Sequence, residues 1–353
     1  MNDIWQEILE LLLAGESFVV ATIFDKSGSA PRTAGAKMVV KRDGSIIGTI
    51  GGGRLEGEAR LLAAEVFRSA VPCLQNFNLT GKDAEQMDMI CGGTGEIFLD
   101  YLDGREKRNL TVYQEIAGIL AGRETSWLIT ELPADDAGSP QRRQCLVRSD
   151  GTLVGNLKCE PGFLENLTAG SSQIASYSDI SQGRRVLIEP IRNKGVLYIF
   201  GAGHVSQQIA PLAEGVGFRT VVIDDRSEYV SRERFPISEL ILLTSFTEPL
   251  PDLPLDKDSY LVIVTRGHLH DKTVLGQVLK KPTAYLGMIG SKRKRDMIFD
   301  SLQTGQGFAK EDFGRINSPI GLDILAETPE EIAVSIVAEL IKVRAERENH
   351  GDR

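Results

Sequence analysis

No run of about 18 consecutive apolar residues occurs in the chain, and a membrane-crossing helix needs one. The N-terminal stretch also lacks a basic start followed by an apolar stretch and a small-residue cleavage site. Ile4 to Leu13 reads instead as an amphipathic helix stopped at Gly15. The four cysteines, Cys73, Cys91, Cys145 and Cys159, include no CxxC pair and have no neighbouring histidine, which argues against a structural zinc site. Positive charge is also in short supply. Forty Lys and Arg against 49 Asp and Glu leave a net charge of -9, the wrong sign for binding a phosphate backbone, so no nucleic-acid partner is expected. The strongest basic run, Lys292-Arg293-Lys294-Arg295, is short. These absences leave a cytoplasmic protein with reduced thiols and no membrane span as the expectation.

Glycine, by contrast, is concentrated where chemistry can use it. Gly51-Gly52-Gly53-Arg54-Leu55-Glu56 follows an apolar run, Gly44 to Ile50, that reads as a strand, and Glu56 to Phe67 reads as an amphipathic helix. The triplet is therefore a strand-to-helix loop, where bare backbone N–H groups can meet an oxyanion or a flat heterocycle at a helix N-terminus. Glu56 adds a general base or hydrogen-bond acceptor. Cys91, in Cys91-Gly92-Gly93, adds a soft nucleophile or metal ligand. The alternative is a tight turn with no ligand and a cysteine that is only a small buried hydrophobe.

At 353 residues the chain has room for about two domains of ~150 residues. In the first half, Val39 to Ile50 is echoed by Leu146 to Leu157, each an apolar strand, an Asp-Gly turn and a second apolar strand. The echo fits a duplication, or two similar hairpins in one sheet. From Gly195 the pattern changes to buried-strand runs at Val196–Phe200, Thr220–Ile223, Tyr260–Val264 and Ala284–Ile289, alternating with helical stretches. The expected fold is α/β: a C-terminal Rossmann-like doubly wound parallel sheet over 195–346, plus an N-terminal α+β domain over 1–190 with the hairpin echo. A linker is expected near Ser181 to Gly195.

Gly201-Ala202-Gly203-His204-Val205-Ser206 follows a strand and opens a helix, with Asp224 and Asp225 about 20 residues on. That context is the dinucleotide fingerprint: Gly201 for the turn, Gly203 for pyrophosphate approach, and Asp225 as ribose acceptor. NAD(P) or another nucleotide is the ligand this motif suggests, although fold does not fix function. His204, His268 and His270 gather at strand C-terminal ends, as a metal site, a general acid/base, or ordinary loop histidines. A helix starting at Thr328-Pro329-Glu330-Glu331 carries an apolar stripe, Ile332, Ile336, Val337, Leu340 and Ile341, for the core or for a homodimer contact.

Seven segments in order resemble the XdhC/CoxI family of xanthine dehydrogenase accessory factors. They are Gly28-Ser29-Ala30-Pro31-Arg32, Gly48 to Glu56, Cys91-Gly92-Gly93, Phe200 to His204, Thr265-Arg266-Gly267-His268, Gly287 to Lys294, and Ser318 to Asp323. The resemblance implies a carrier that binds molybdenum cofactor (molybdopterin), supports its sulfuration and delivers it to a xanthine dehydrogenase-type molybdenum hydroxylase. A cysteine desulfurase is a further partner on this reading, and a homo-oligomer is expected because cleft-forming homodimers are common. Many members carry cysteine after the triple glycine, where this chain has Arg54, which leaves Cys91 as the thiol for the metal. On this reading Gly51, Gly52 and Gly53 with Arg54 or Arg32 hold the phosphate. Lys292 and Arg293 form a second anion clamp, and Cys91 and Glu56 carry the chemistry. Two other readings stay open: an NAD(P)-dependent oxidoreductase using His204 or His268 as the acid, and a nucleotide-sensing scaffold without turnover.

Overall fold

The computed structural model describes residues 4–28, 34–78, 93–122, 124–133, 142–158, 162, 164, 173–179 and 183–350. Arg32, Cys91 and Cys159 lie outside the described residues. The chain divides into two compact units, Met1–Arg192 and Asn193–Arg353.

The first unit opens with α1 (Ile4–Leu13), which buries Ile8, Leu9, Leu11 and Leu12. The strands β1 (Phe18–Gly28), β2 (Lys37–Lys41) and β3 (Ile46–Gly48) follow, then α2 (Gly53–Ser69), β4 (Cys73–Asn78) and β5 (Gly93–Leu102). They form an antiparallel sheet of order β3-β2-β1-β5-β4. Next come α3 (Lys107–Ala121), β6 (Ser126–Glu131), β7 (Gln144–Val147), β8 (Leu153–Gly155), β9 (Ala175–Asp179) and β10 (Arg184–Ile191). These strands form a second antiparallel sheet of order β8-β7-β6-β10-β9, the same order as the first. The echoed hairpins therefore lie in two sheets, at equivalent places in a repeated fold.

The registers match residue by residue. Thr22 opposes Lys37 as Thr130 opposes Gln144, and Met38 opposes Gly48 as Cys145 opposes Gly155. A Cβ on Gly48 would lie 2.7 Å from the Lys37 carbonyl oxygen, and one on Gly155 would lie 2.2 Å from that of Gln144. Both glycines hold φ above zero, at 78° and 142°, so each hairpin needs glycine there for the same reason. Both turns are tied alike: Asp43 Oδ1 accepts from the Ser45 N–H and Asp150 Oδ1 from the Thr152 N–H, each at 2.9 Å.

One apolar cluster joins α1 and α3 to Val20, Val39 and Leu102 of the first sheet and to Leu128, Leu146 and Ile191 of the second. Leu55, Ala59, Ala63 and Val66 of α2 pack on the other side of the first sheet, against Val19, Ala21, Ile23, Met38 and Leu99. Opposed acids complete the symmetry. Asp100 lies across from Val20, and Glu189 across from the equivalent Leu128. Each is neutralised by the other half: Arg142 Nε reaches Asp100 at 2.7 Å, and Lys37 Nζ reaches Glu189 at 2.8 Å. Burial beside this network pushes the Tyr113 hydroxyl up to about 12, so it stays protonated.

Much of the expected linker is strand. Residues 184–191 form β10, a central strand of the second sheet, and the unit boundary falls after Arg192. Pro190 obscures this strand in the sequence. It sits beyond Ile188, the last β10 residue paired with β9, where its missing N–H costs no ladder bond.

The second unit is Rossmann-like. The strands β11 (Val196–Phe200), β12 (Arg219–Asp224), β13 (Glu239–Leu242), β14 (Ser259–Ile263), β15 (Tyr285–Met288) and β16 (Ile316–Asn317) run parallel in the order β13-β12-β11-β14-β15-β16. The helices are α4 (His204–Gly215), α5 (His268–Val278), α6 (Lys292–Gln306) and α7 (Pro329–His350). β11, β14 and β15 are buried at every position, as parallel strands covered on both faces must be. From the stripe of α7, Ile336, Val337 and Leu340 enter the core with α4, while Ile341 stays exposed. No helix among the described residues is long and apolar enough to cross a membrane.

Candidate functional site

The glycine loop links β3 to α2, and all of Gly48, Gly51, Gly52 and Gly53 have positive φ. The helix starts at Gly53, a turn earlier than the Glu56 expected from the sequence, so Glu56 sits inside its first turn. From there its carboxylate folds back over the loop. Glu56 Oε1 accepts from the Gly52 N–H at 2.9 Å, from the Ile50 N–H at 3.3 Å and from the Thr49 hydroxyl. Thr49 Oγ1 in turn accepts from the Gly51 N–H at 3.1 Å. Partial burial works against the charge on Glu56, but the hydrogen bonds from Thr49, Gly52, Ile50 and Gly51 outweigh it and lower its pKa. The N–H groups of Ile50 and Gly52 are thus held by an ionised carboxylate of the chain itself, and Glu56 acts on the loop's shape.

The first turn of α2 has no side-chain cap at Gly52, and a Cβ at Gly52 would meet nothing within 4 Å. Gly53 and Arg54 are exposed beside this open backbone. The Arg54 guanidinium meets Glu58 through Nε at 2.8 Å. Uncapped helix N–H groups, open space at Gly52 and a guanidinium nearby are features that favour an anion, and the Glu56 carboxylate on the same loop opposes one. Thr49 was not singled out from the sequence. Its signal was its place two residues before Gly51, where a hydroxyl can fasten a turn.

In the second unit the fingerprint glycines stand where expected. Gly201 has φ 110°, and a Cβ there would come within 2.4 Å of the Val264 carbonyl oxygen. Ser206, in the third glycine's place, is buried and donates to the Gly201 carbonyl at 2.5 Å. The acids are differently employed. Asp224 is fully buried; its Oδ2 accepts from the Ala202 N–H at 2.7 Å and from Arg226 Nη2 at 2.8 Å. Its Oδ1 accepts from Arg226 N and Nε at 3.0 and 2.9 Å. Burial opposes ionisation, yet Arg226 and the Ala202 N–H together hold its pKa below the usual carboxylate value. Asp225 takes both Nη groups of Arg266, at 2.8 and 3.1 Å. A ribose hydroxyl would therefore compete with arginine at either acid.

His204 and His268 are the first residues of α4 and α5, and both are exposed. His270 leaves this group: its ring lies 5.6 Å from that of Phe246, and its Nδ1 is buried. Among the described residues no three His, Cys, Asp or Glu side chains gather closely enough to hold a metal ion. Lys292 and Arg293 are exposed at the start of α6. Their neighbour Lys294 turns inward, with Nζ 2.5 Å from buried Asp271, which also accepts from the Thr265 hydroxyl at 2.6 Å. Two of the seven segments, Thr265 to His268 and Gly287 to Lys294, are thus joined through one carboxylate.

Two family models match the chain: the XdhC and CoxI family over residues 11–78, and the XdhC Rossmann domain over residues 197–340. A Bacillus subtilis protein named as a probable xanthine dehydrogenase component is 27% identical over 95% of both chains. The molybdenum cofactor insertion chaperone PaoD of Escherichia coli is 23% identical over 96% of this chain and 87% of its own length. The uncharacterized protein YqeB of Escherichia coli is 31% identical, but over 60% of this chain, which spans only 42% of that protein. A crystal structure described as a xanthine dehydrogenase from Bacillus halodurans superposes with a TM-score of 0.78 at 25% identity, covering 97% of this chain and 96% of that one. With both units matched by family models and the whole fold shared, the chain belongs to the XdhC and CoxI family.

Proposed function

We propose that this chain is an accessory factor that binds molybdenum cofactor at the β3–α2 glycine loop, holds it during sulfuration and passes it to a xanthine dehydrogenase-type molybdenum hydroxylase. The observation that carries the reading is the loop itself: three glycines at positive φ before an uncapped helix N-terminus, with Arg54 exposed beside it. The nearly full-length likeness to a protein named as a molybdenum cofactor insertion chaperone supports the choice of cargo. In this reading the α2 N–H groups and Arg54 take the cofactor's phosphate. Glu56 and Thr49 hold the loop in shape. Cys91 supplies a thiolate to the metal, and a cysteine desulfurase supplies the sulfur. The chain works as a carrier in the cytoplasm, as a homo-oligomer, without turnover of its own.

The test is anaerobic mixing of the purified protein with molybdenum cofactor, followed by gel filtration and metal analysis. Co-elution of about one molybdenum per chain, weakened in Arg54→Ala and in Cys91→Ala, is the expected result. Absence of molybdenum from the wild-type peak would overturn the reading. Equal retention by both variants would move the site away from this loop.

A further inference from the structure

Between the first turns of α5 and α6, at the C-terminal ends of β14 and β15, lies a groove of about 560 Å³. That volume falls within the ~300–1,000 Å³ of small-molecule sites. Its lining has two characters. Leu269, Met297 and Ile298 are apolar, and Leu269 and Met297 remain 65% and 58% exposed. Lys272, Arg293 and Lys294 are cationic, and among the described residues no acid lines the groove. Lys294 is neutralised by Asp271, whereas Lys272 and Arg293 make no ion pair among the described residues. Two uncompensated cations beside two bare apolar side chains stand out in a chain of net charge -9. The groove is also separate from the dinucleotide crevice, since Gly201, Gly203, Asp224 and Asp225 are absent from its lining.

We propose that this groove binds a small anion with a flat apolar body, of the class of aryl or nucleoside monophosphates. The ring covers Leu269 and Met297, and the phosphate meets Lys272 and Arg293 near the start of α6. Neither half of such a ligand suffices alone. Inorganic phosphate leaves the apolar pair bare, and a neutral ring leaves the cations unpaired. The proposal is independent of whether the chain carries molybdenum cofactor.

The experiment is calorimetric titration of the full chain with 1-naphthyl phosphate, with inorganic phosphate and with 1-naphthol. Saturable one-to-one binding of naphthyl phosphate, at least tenfold tighter than either fragment, is expected. Lys272→Glu and Met297→Asp should each weaken it at least tenfold while leaving the thermal melting curve in place. Binding unchanged in both variants, inorganic phosphate binding as tightly as the ester, or no heat up to millimolar ester would each overturn the proposal. Tighter, groove-dependent binding of an acidic leucine-rich helical peptide would overturn it too, by assigning the surface to a protein partner.

Discussion

The two halves of the first unit share strand order, registers, turn chemistry and a forced glycine, and among the described residues they differ after the third strand. After β3 the chain runs through Thr49 and buried Ile50 into three glycines and a helix. After β8, at the equivalent positions, Asn156 and buried Leu157 follow. Asn156 spends its side chain on the hairpin, accepting from the Gln144 N–H and donating to the Arg142 carbonyl, each at 2.9 Å. The first copy thus leads into an open backbone, whereas in the second Asn156 ties the end of β8 back to β7. The lesson is that one scaffold leaves the residues after its third strand free to differ.

Six substitutions would break or sharpen that comparison. The largest effect is expected from the crossed ion pairs. Arg142→Met and Lys37→Met each strand a buried carboxylate and should cost about 3–5 kcal/mol in urea unfolding. Only the acids are at equivalent positions, since Lys37 matches Gln144 rather than Arg142, so each loss reports separately how firmly its half is braced. Next come Gly48→Ala and Gly155→Ala. Each drives a Cβ into a backbone carbonyl at positive φ and should cost about 1–3 kcal/mol in either half. Gly52→Ala meets open space, so it should cost less stability than either while still impairing anion binding at the loop.

The smallest effect belongs to Glu56. Its pKa is lowered on folding, so its contribution is present above the unfolded carboxylate range and is lost as pH falls through the folded value. Glu56→Gln should lower stability by about 1 kcal/mol at pH 7 and by progressively less toward pH 3. Melting curves between those limits that stay parallel would show that the carboxylate does not hold the loop.

Much of the second unit was legible because parallel strands covered on both faces read as continuous apolar runs; the expected Val196–Phe200 strand is β11 to the residue. Strand β13 was not expected although Leu240 to Leu243 is an apolar run; it is short, partly exposed and lies at the edge of the sheet. In the first unit the hairpin echo was visible, since Asp-Gly turns are local signals. Its meaning was not, because the matching sheet order depends on pairings between distant segments such as β1 with β5 and β6 with β10. Of the candidate site, the glycines were plain. The Thr49–Glu56 clasp was not, because it needs the helix to begin at Gly53 before the carboxylate can reach back. The partners of Asp224 and Asp225 were hidden for a related reason. Arg266 adjoins Asp225 only once the β12 and β14 ends stand on either side of β11, and Arg226, two residues from Asp224, reaches it through the bend that follows β12.

The crossed placement of Lys37–Glu189 and Arg142–Asp100 has a consequence for how the first unit comes apart. Each half keeps its acid balanced with a cation lent by the other, and α1 and α3 share a single apolar cluster with both sheets. Neither half can therefore loosen first without leaving charges and apolar surface stranded in its twin. Two similar modules so interlocked are expected to melt as one cooperative body.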